Sequence, residues 1–294
     1  MTTPRKILRE HGIRPLKRLG QSFLEDTNVM NKIISTAGIQ EHDTVVEIGA
    51  GLGIMTELMA ETARRVIALD VDPYMVKILE ERLGKCPNVD IVHADVLHYD
   101  FSTPCAAGNI ENIKVVGNIP YNISSQILFR LLDFRRCISS AVLLVQKEVA
   151  DRLNAVAGTK EYGIPTAAIS MYAHVSREFD VPPSCFYPEP KVTSTVLKMT
   201  FRERPLIELR DEDLFLKVVK IAFSKRRKTL FNAFRHAALP GYQESDLRAS
   251  FAAAGIDGGR RGETLSPEEM GTLSNVLSCR SSLSPAAGDS PSRK

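Results

Sequence analysis

The tetrapeptide Asn118-Ile119-Pro120-Tyr121 is where residue types and spacing first imply chemistry. An amide oxygen on Asn118, with the main-chain carbonyl of Ile119 or Pro120, can accept both hydrogens of an amino group. Held in that way, the nitrogen becomes pyramidal and its lone pair points in one direction. Pro120 fixes φ and with it the course of the loop. Tyr121 supplies an aromatic face on which a flat heterocycle can stack. The set suits the exocyclic amine of a nucleobase, a poor nucleophile because its lone pair is delocalised into the ring. No strong general base is required, so catalysis would rest on orientation and electrostatics. The plainer reading of the same residues is a helix cap followed by a turn.

Such an amine needs an electrophile in front of it. Residues 45–53 read V-V-E-I-G-A-G-L-G, an apolar run that ends in glycines and opens a helix. Glycine is needed where the backbone turns tightly and a ligand comes close. Dinucleotide binders favour G-x-G-x-x-G, whereas G-x-G-x-G is the usual form in Rossmann-like enzymes that use S-adenosylmethionine. The tetrapeptide matches the Asn/Asp-x-Pro-aromatic motif of amino-methyltransferases. An acid about 20 residues past the glycines should hold ribose hydroxyls, and Asp70 stands there. Asp72 directly precedes Pro73 and could share that task or cap a helix. Asp95 could accept from an adenine amino group.

These residues require a scaffold that brings successive strand ends to one edge. Residues 44–48, 65–69, 89–93, 114–117 and 140–146 read as short buried strands, with helical spacing over 54–63, 73–83 and 125–132. Alternation of this kind predicts a doubly wound parallel sheet with helices on both faces. Residues 174–181 and 192–201 are strand-like, flank a Pro-rich loop and suit an antiparallel hairpin at the sheet edge. From about Asp211 the chain reads as helical. The expectation is therefore an α/β, Rossmann-like methyltransferase domain over 1–204, with a basic segment at 1–19. A smaller all-helical domain over 205–277 and a disordered tail over 278–294 follow.

The 294 residues carry 38 basic and 35 acidic side chains, so net charge alone says little. Its distribution says more. Arg5, Lys6, Arg9, Arg14, Lys17 and Arg18 stand against Glu10 near the start, and residues 217–235 hold seven basic side chains and no acid. Two such clusters suggest contact with a polyanion. The five cysteines are scattered without a C-x-x-C pair, which argues against a disulfide framework or a zinc site and suits a cytoplasmic protein. No apolar run is long enough to span a bilayer, and the N-terminus lacks the apolar stretch of a secretory signal.

Five segments in order resemble the KsgA/RsmA family of small-subunit ribosomal RNA adenine dimethyltransferases. They are Gly20-Gln21-Ser22-Phe23-Leu24, residues 47–53, residues 118–124, residues 186–194 (F-Y-P-E-P-K-V-T-S) and residues 223–230 (F-S-K-R-R-K-T-L). The resemblance covers about residues 17–277. It implies that Ser22, Leu24, Gly49, Asp70, Asp95 and Asn118 contact S-adenosylmethionine, with Gln21 and Gly51 beside them. It implies that Phe186 forms a second aromatic wall opposite Tyr121, and that Lys191, Arg226, Arg227 and Lys228 meet RNA phosphates. Ser22 stands where the family usually has Asn, and Asp70 where Glu is usual. The substrate implied is two adjacent adenosines in the 3′-terminal hairpin loop of 16S rRNA, dimethylated at N6 by a monomeric enzyme acting on the assembling 30S subunit. No metal is implied. Two other readings share the fold: a large-subunit adenine methyltransferase of the macrolide-resistance type, and a non-catalytic ribosome-assembly or transcription factor.

Overall fold

The computed structural model of the chain describes residues 3–108, 112–225, 227–237, 239 and 242–281. The chain opens with α1 (Pro4–Glu10), β1 (Phe23–Leu24) and α2 (Thr27–Ala37). It then alternates through β2 (Thr44–Ile48), α3 (Ile54–Ala60), β3 (Arg65–Asp70), α4 (Pro73–Leu83), β4 (Val89–His93) and α5 (Thr103–Gly108). The alternation continues with β5 (Ile113–Asn118), α6 (Ser124–Asp133), β6 (Ile138–Gln146) and α7 (Lys147–Leu153). After α8 (Ile164–Tyr172) come β7 (Ala173–Val181), β8 (Phe186–Tyr187) and β9 (Ser194–Phe201). The helices α9 (Glu212–Ser224), α10 (Leu230–Ala237), α11 (Glu244–Ala253) and α12 (Pro267–Ser281) end the described chain.

The chain divides into two compact units, residues 1–154 with 173–203, and residues 155–172 with 204–294. The first holds a seven-stranded sheet in the order β4-β3-β2-β5-β6-β9-β7. Strands β4 to β6 in that order run parallel, and β9 and β7 are antiparallel additions. All five residues of β2 are buried. Burial on both faces is why this strand reads as a continuous apolar run rather than as an alternation. β9 pairs with both β6 and β7, so the expected hairpin is present and its second strand lies inside the sheet. α2 buries Met30, Ile33 and Ala37 and ends on Gly38 in the left-handed conformation. The Pro-rich loop between β7 and β9 returns as β8, which pairs antiparallel with β1.

The second unit is helical. α9 is capped by Asp211 and buries Phe215, Val218, Val219 and Ala222. α8 and α12 pack against α9, as do α10 and the turn Gly262–Thr264. Two expectations change here. α8 belongs with this unit rather than with a first domain continuous to residue 204, because its buried Thr166, Ala167, Ile169 and Met171 meet α9 and α12. Residues 278–281 complete α12 instead of starting a disordered tail, since Leu273 and Leu277 on the same helix are fully buried; residues 282–294 lie outside the described residues.

Gly262 packs tightly on α9, where a Cβ would collide with the Ala222 carbonyl. Gly262→Ala must therefore force the turn and the helix apart. The expected cost is roughly 1–3 kcal/mol of stability, read as a lower urea midpoint; an unchanged midpoint would show that the contact yields freely.

Candidate active site

Strand order reverses between β2 and β5, with β3 and β4 on one side and β6 on the other. A crevice forms outside the carboxyl ends of the strands at such a point. The cleft found there is lined by Gly49 and Gly51 after β2, Asp70 at the end of β3, Asp95 after β4, and Asn118, Pro120 and Tyr121 at and after the end of β5. Gln21 and Ser22 close it from the N-terminal segment. Nine of the residues singled out by the sequence are thus brought together at one edge.

The turn after β2 needs its glycines. Gly49, Gly51 and Gly53 have φ of 70°, 55° and 74°, the left-handed region that side chains disfavour. The N–H groups of Gly49 and Ala50 both donate to the Leu69 carbonyl, at 2.9 and 3.0 Å. A Cβ on Gly51 would stand 3.0 Å from the Phe23 ring, so β1 lies directly on the turn. A Cβ on Gly49 would meet nothing nearer than the Asn118 carbonyl at 3.7 Å, and the residue lines the cleft.

The acids divide their work. Asp70 is 8% exposed, and its two oxygens accept from the Gly51 N–H at 2.8 Å and the Asp72 N–H at 2.9 Å. Burial raises its pKa, and those N–H donors oppose the rise. Asp72 caps α4 through the Tyr74 N–H and accepts from Gln21 Nε2 at 2.7 Å. It does not line the cleft, so the capping role is the one realised. Asp95 is half-exposed in the cleft wall and accepts from the Leu97 N–H at 2.9 Å. Glu47, inside β2, is 2% exposed and accepts from the Thr56 hydroxyl at 2.5 Å. Burial pushes its pKa up to about 8; the Thr56 hydrogen bond pulls it down and the Asp70 charge adds to the rise.

Asn118 is oriented by the main chain. Its Nδ2 donates to the Ser22 carbonyl at 2.7 Å. With the amino end of the amide committed, Oδ1 is the end presented as acceptor. Tyr121 is half-buried, and its hydroxyl pairs with Ser194 Oγ at 2.7 Å, which ties the ring to the start of β9. Burial raises the Tyr121 pKa and the Ser194 hydrogen bond lowers it.

In the N-terminal motif the polar side chains are engaged within the protein. The Gln21 amide is engaged at both ends, by Asp72 and by the Leu16 N–H at 2.7 Å. The Ser22 hydroxyl donates to the Pro188 carbonyl at 2.8 Å. Leu24 is 8% exposed, pairs with Phe186 across β1 and β8, and lines a second cavity together with Gly49 and Asn118. Phe186 requires a correction. Its ring is 0% exposed and packs in the apolar cluster that includes Leu24, Val181 and Val196, so it presents no free face opposite Tyr121. The strand pairing of β8 turns it inward. What the sequence did not reveal is that the motif from Gln21 to Leu24 clamps four elements: the cap of α4, the glycine turn, the end of β5 and the Pro-rich loop.

Lys191 is exposed in the first unit, and Arg227 and Lys228 are exposed between α9 and α10 in the second. Arg226 lies outside the described residues. Among the described residues no group of three or more His, Cys, Asp or Glu could hold a metal ion. None of the described helices is long and apolar enough to cross a membrane.

A Rossmann-like sheet with an amide loop beside a glycine turn defines a methyltransferase of this architecture. The ribosomal RNA adenine dimethylase family matches residues 14–278, and the chain belongs to that family. The ribosomal RNA small subunit methyltransferase A of Syntrophus aciditrophicus is 50% identical over 278 residues, covering 95% of this chain and 99% of that protein. The protein of the same name from Geobacter metallireducens is 42% identical, with 92% and 98% covered. Among solved structures, a dimethyladenosine transferase from Plasmodium falciparum aligns with a TM-score of 0.73 and 25% identity, covering 85% of this chain and 95% of that one. The 23S rRNA methyltransferase ErmE aligns with a TM-score of 0.65 and 27% identity, covering 87% and 99%.

Glu47 carries a stability prediction with a definite sign. The folded chain holds a proton there that the unfolded chain releases, so this group makes stability fall as pH rises from the ordinary carboxylate range and level off above about 8. Glu47→Gln should remove that fall, so that the variant gains on the parent at pH 8 relative to pH 5. Urea midpoints across that range check it, and parallel pH profiles for the two proteins would refute it.

Proposed function

We propose that the chain transfers methyl groups from S-adenosylmethionine to the N6 amino groups of two adjacent adenosines in the 3′-terminal hairpin loop of 16S rRNA. Each adenosine receives two. The observation that carries this reading is the cleft-lining Asn118, whose amide nitrogen is committed to the Ser22 carbonyl, in a chain of the ribosomal RNA adenine dimethylase family.

The cleft residues fit such a donor. Gly49 leaves the turn bare of a side chain at the cleft, and Asp70 and Asp95 line the walls where ribose hydroxyls and an adenine amino group would fall. Once bound, S-adenosylmethionine supplies the methyl as a cation equivalent and leaves as S-adenosylhomocysteine.

The chain's own residues do the rest. Asn118 Oδ1 accepts one N6 hydrogen. The Pro120 carbonyl is already engaged by the Ile123 N–H at 3.2 Å, which favours the Ile119 carbonyl for the other. Tyr121 offers a ring face to the flipped base, and its hydroxyl bond to Ser194 keeps that face in place. After transfer the nitrogen is cationic and releases its proton to solvent, and the remaining N–H can be presented for a second round. An amide at Asn118 suffices here and avoids placing a full anion beside the base, because a neutral amine needs only acceptors to hold it. Loop adenosines are cheaper to extrude than paired ones. Lys191, Arg227 and Lys228 supply phosphate contacts, and the enzyme meets the assembling 30S particle as a monomer in the cytoplasm.

The likeness to the 23S rRNA methyltransferase ErmE keeps a large-subunit reading in view. The relatives at 40–50% identity, covering nearly the whole chain, favour the small subunit. A factor that only binds would leave Asn118, Pro120 and Tyr121 without a task.

Mapping the modified nucleotides after incubating both subunits with S-adenosylmethionine tests the proposal. Label at two neighbouring adenosines of 16S rRNA is expected; label confined to 23S rRNA would transfer the function to the other subunit. Asn118→Ala should lower turnover about a hundredfold or more, measured in single-turnover assays, and a rate equal to the parent's would remove the amide from the mechanism. Replacing Arg227 and Lys228 by Ala should reduce the slope of log K against log salt for RNA binding by about 1–2. An unchanged slope would place neither side chain on a phosphate.

A further inference from the structure

The helical unit contains a cavity that the methyl-transfer chemistry does not use. Phe231 of α10, Arg248 and Phe251 of α11, and the following turn of Asp257 and Gly258 line it. The Arg248 guanidinium lies over the Phe231 ring, 4.3 Å from its centroid. The Phe231 and Phe251 rings meet edge to face with centroids 6.2 Å apart. Arg248 is largely exposed, and Glu244 steadies its head at 2.8 Å. An exposed guanidinium resting on an aromatic ring is a platform on which a flat heterocycle can stack.

Two further features give the platform polarity. Asp257 is exposed in the cavity wall, and one of its oxygens accepts from the Gly259 N–H at 2.8 Å. A Cβ on Gly258 would come within 3.1 Å of Phe231 Cβ, so the turn packs against the root of that side chain. The Phe231 N–H donates to the Gly258 carbonyl at 3.0 Å, which fixes the turn against α10. Thr229, also in the wall, directly follows the exposed Lys228, with Arg227 and Lys225 just before it.

Stacking surface, carboxylate and adjacent cations together specify one kind of occupant. A carboxylate at the edge of a stacked base accepts from the ring N–H and the exocyclic amine of guanine. The corresponding edge of adenine presents an acceptor to it. We propose that this cavity receives an unpaired guanine of the RNA substrate. The base stacks on the Phe231–Arg248 pair, its N1 and N2 hydrogens are held by Asp257, and its phosphates are held by Lys225, Arg227 and Lys228. This rests on the ribosomal RNA reading above and assigns the helical unit a base-reading task in addition to charge contacts.

The test uses the full chain and a uridine nonanucleotide carrying one central 6-thioguanosine. After irradiation and digestion, mass spectrometry should locate the cross-link within residues 229–259. Arg248→Ala, at an exposed side chain, should reduce the yield about fivefold or more. In anisotropy titrations, the same oligonucleotide with central guanosine should bind at least about fivefold more tightly than its adenosine counterpart. Asp257→Asn, which keeps the Gly259 contact but places a donor at the edge, should abolish that preference. Cross-links only at residues 118–121, or a guanosine preference that survives Asp257→Asn, would overturn the proposal. Methylation of small subunits by the parent protein is followed in parallel. Methylation without the cross-link removes this cavity alone, whereas a cross-link without methylation keeps the cavity and removes the enzyme reading.

Discussion

The hydrogen bond from Asn118 Nδ2 to the Ser22 carbonyl is the constraint on which the active site depends. A carboxamide has unlike ends, and only its oxygen can hold an amine hydrogen. Were the group free to turn over, the same side chain would present a donor to a donor. The Ser22 carbonyl forbids that, and it is itself held on three sides. Gln21 is anchored to Asp72 and to Leu16, the Ser22 hydroxyl is anchored to Pro188, and the next two residues pair with β8. The amide is therefore preorganised by main chain, at no reorganisation cost when substrate arrives. This also explains why a serine serves at position 22. The group that orients Asn118 belongs to the backbone, and the side chain has a separate task against the Pro-rich loop.

Asp70 shows a related economy. Its carboxylate closes the glycine turn by accepting from Gly51 and closes its own turn by accepting from Asp72. Each carboxylate oxygen has a second lone-pair direction, so a ribose hydroxyl can be received without breaking either bond. The shorter arm of Asp keeps the charge close to the backbone donors that stabilise it against burial. A ligand on this wall thus meets a carboxylate whose position is set by the turn that also passes under the ligand. Geometry of the donor site and geometry of the glycine turn are one property, not two.

The α/β alternation, the glycine turn and the amide loop were legible because each leaves a local trace. Strands buried on both faces read as apolar runs, left-handed turns read as glycine, and a rigid loop reads as proline. What escaped were relations between distant residues. α8 is apolar around its circumference, which announces burial but not by which partner, and α9 and α12 supply that partner. Phe186 sits in a Pro-rich loop where an exposed ring and a buried plug look alike, and only the pairing of β8 with β1 turns it inward. Gln21 lines the cleft, and no local trace in the sequence signals that Asp72 and Leu16 engage both ends of its amide. The capping role of Asp72 could be read from the proline that follows it.

The catalytic geometry cannot by itself select the RNA, since the 23S rRNA methyltransferase ErmE shares the fold over most of this chain. Selection must come from surfaces that set where the strand lies before a base is extruded. Phosphate contacts position a nucleic acid without reading it, yet positioning is decisive when reaction requires reacting atoms about 3–3.5 Å apart. A strand displaced by one nucleotide would bring a different base to Tyr121. Under the proposed RNA contacts, exposed cations at Lys191, Arg227 and Lys228 would allow such a step, because exposed charge contacts with phosphates are screened by salt. Modification of two neighbouring adenosines by a cleft that accepts one base would then follow from a shallow electrostatic hold combined with a rigid amide loop. A tight grip on the backbone would fix one adenosine in place and leave its neighbour untouched.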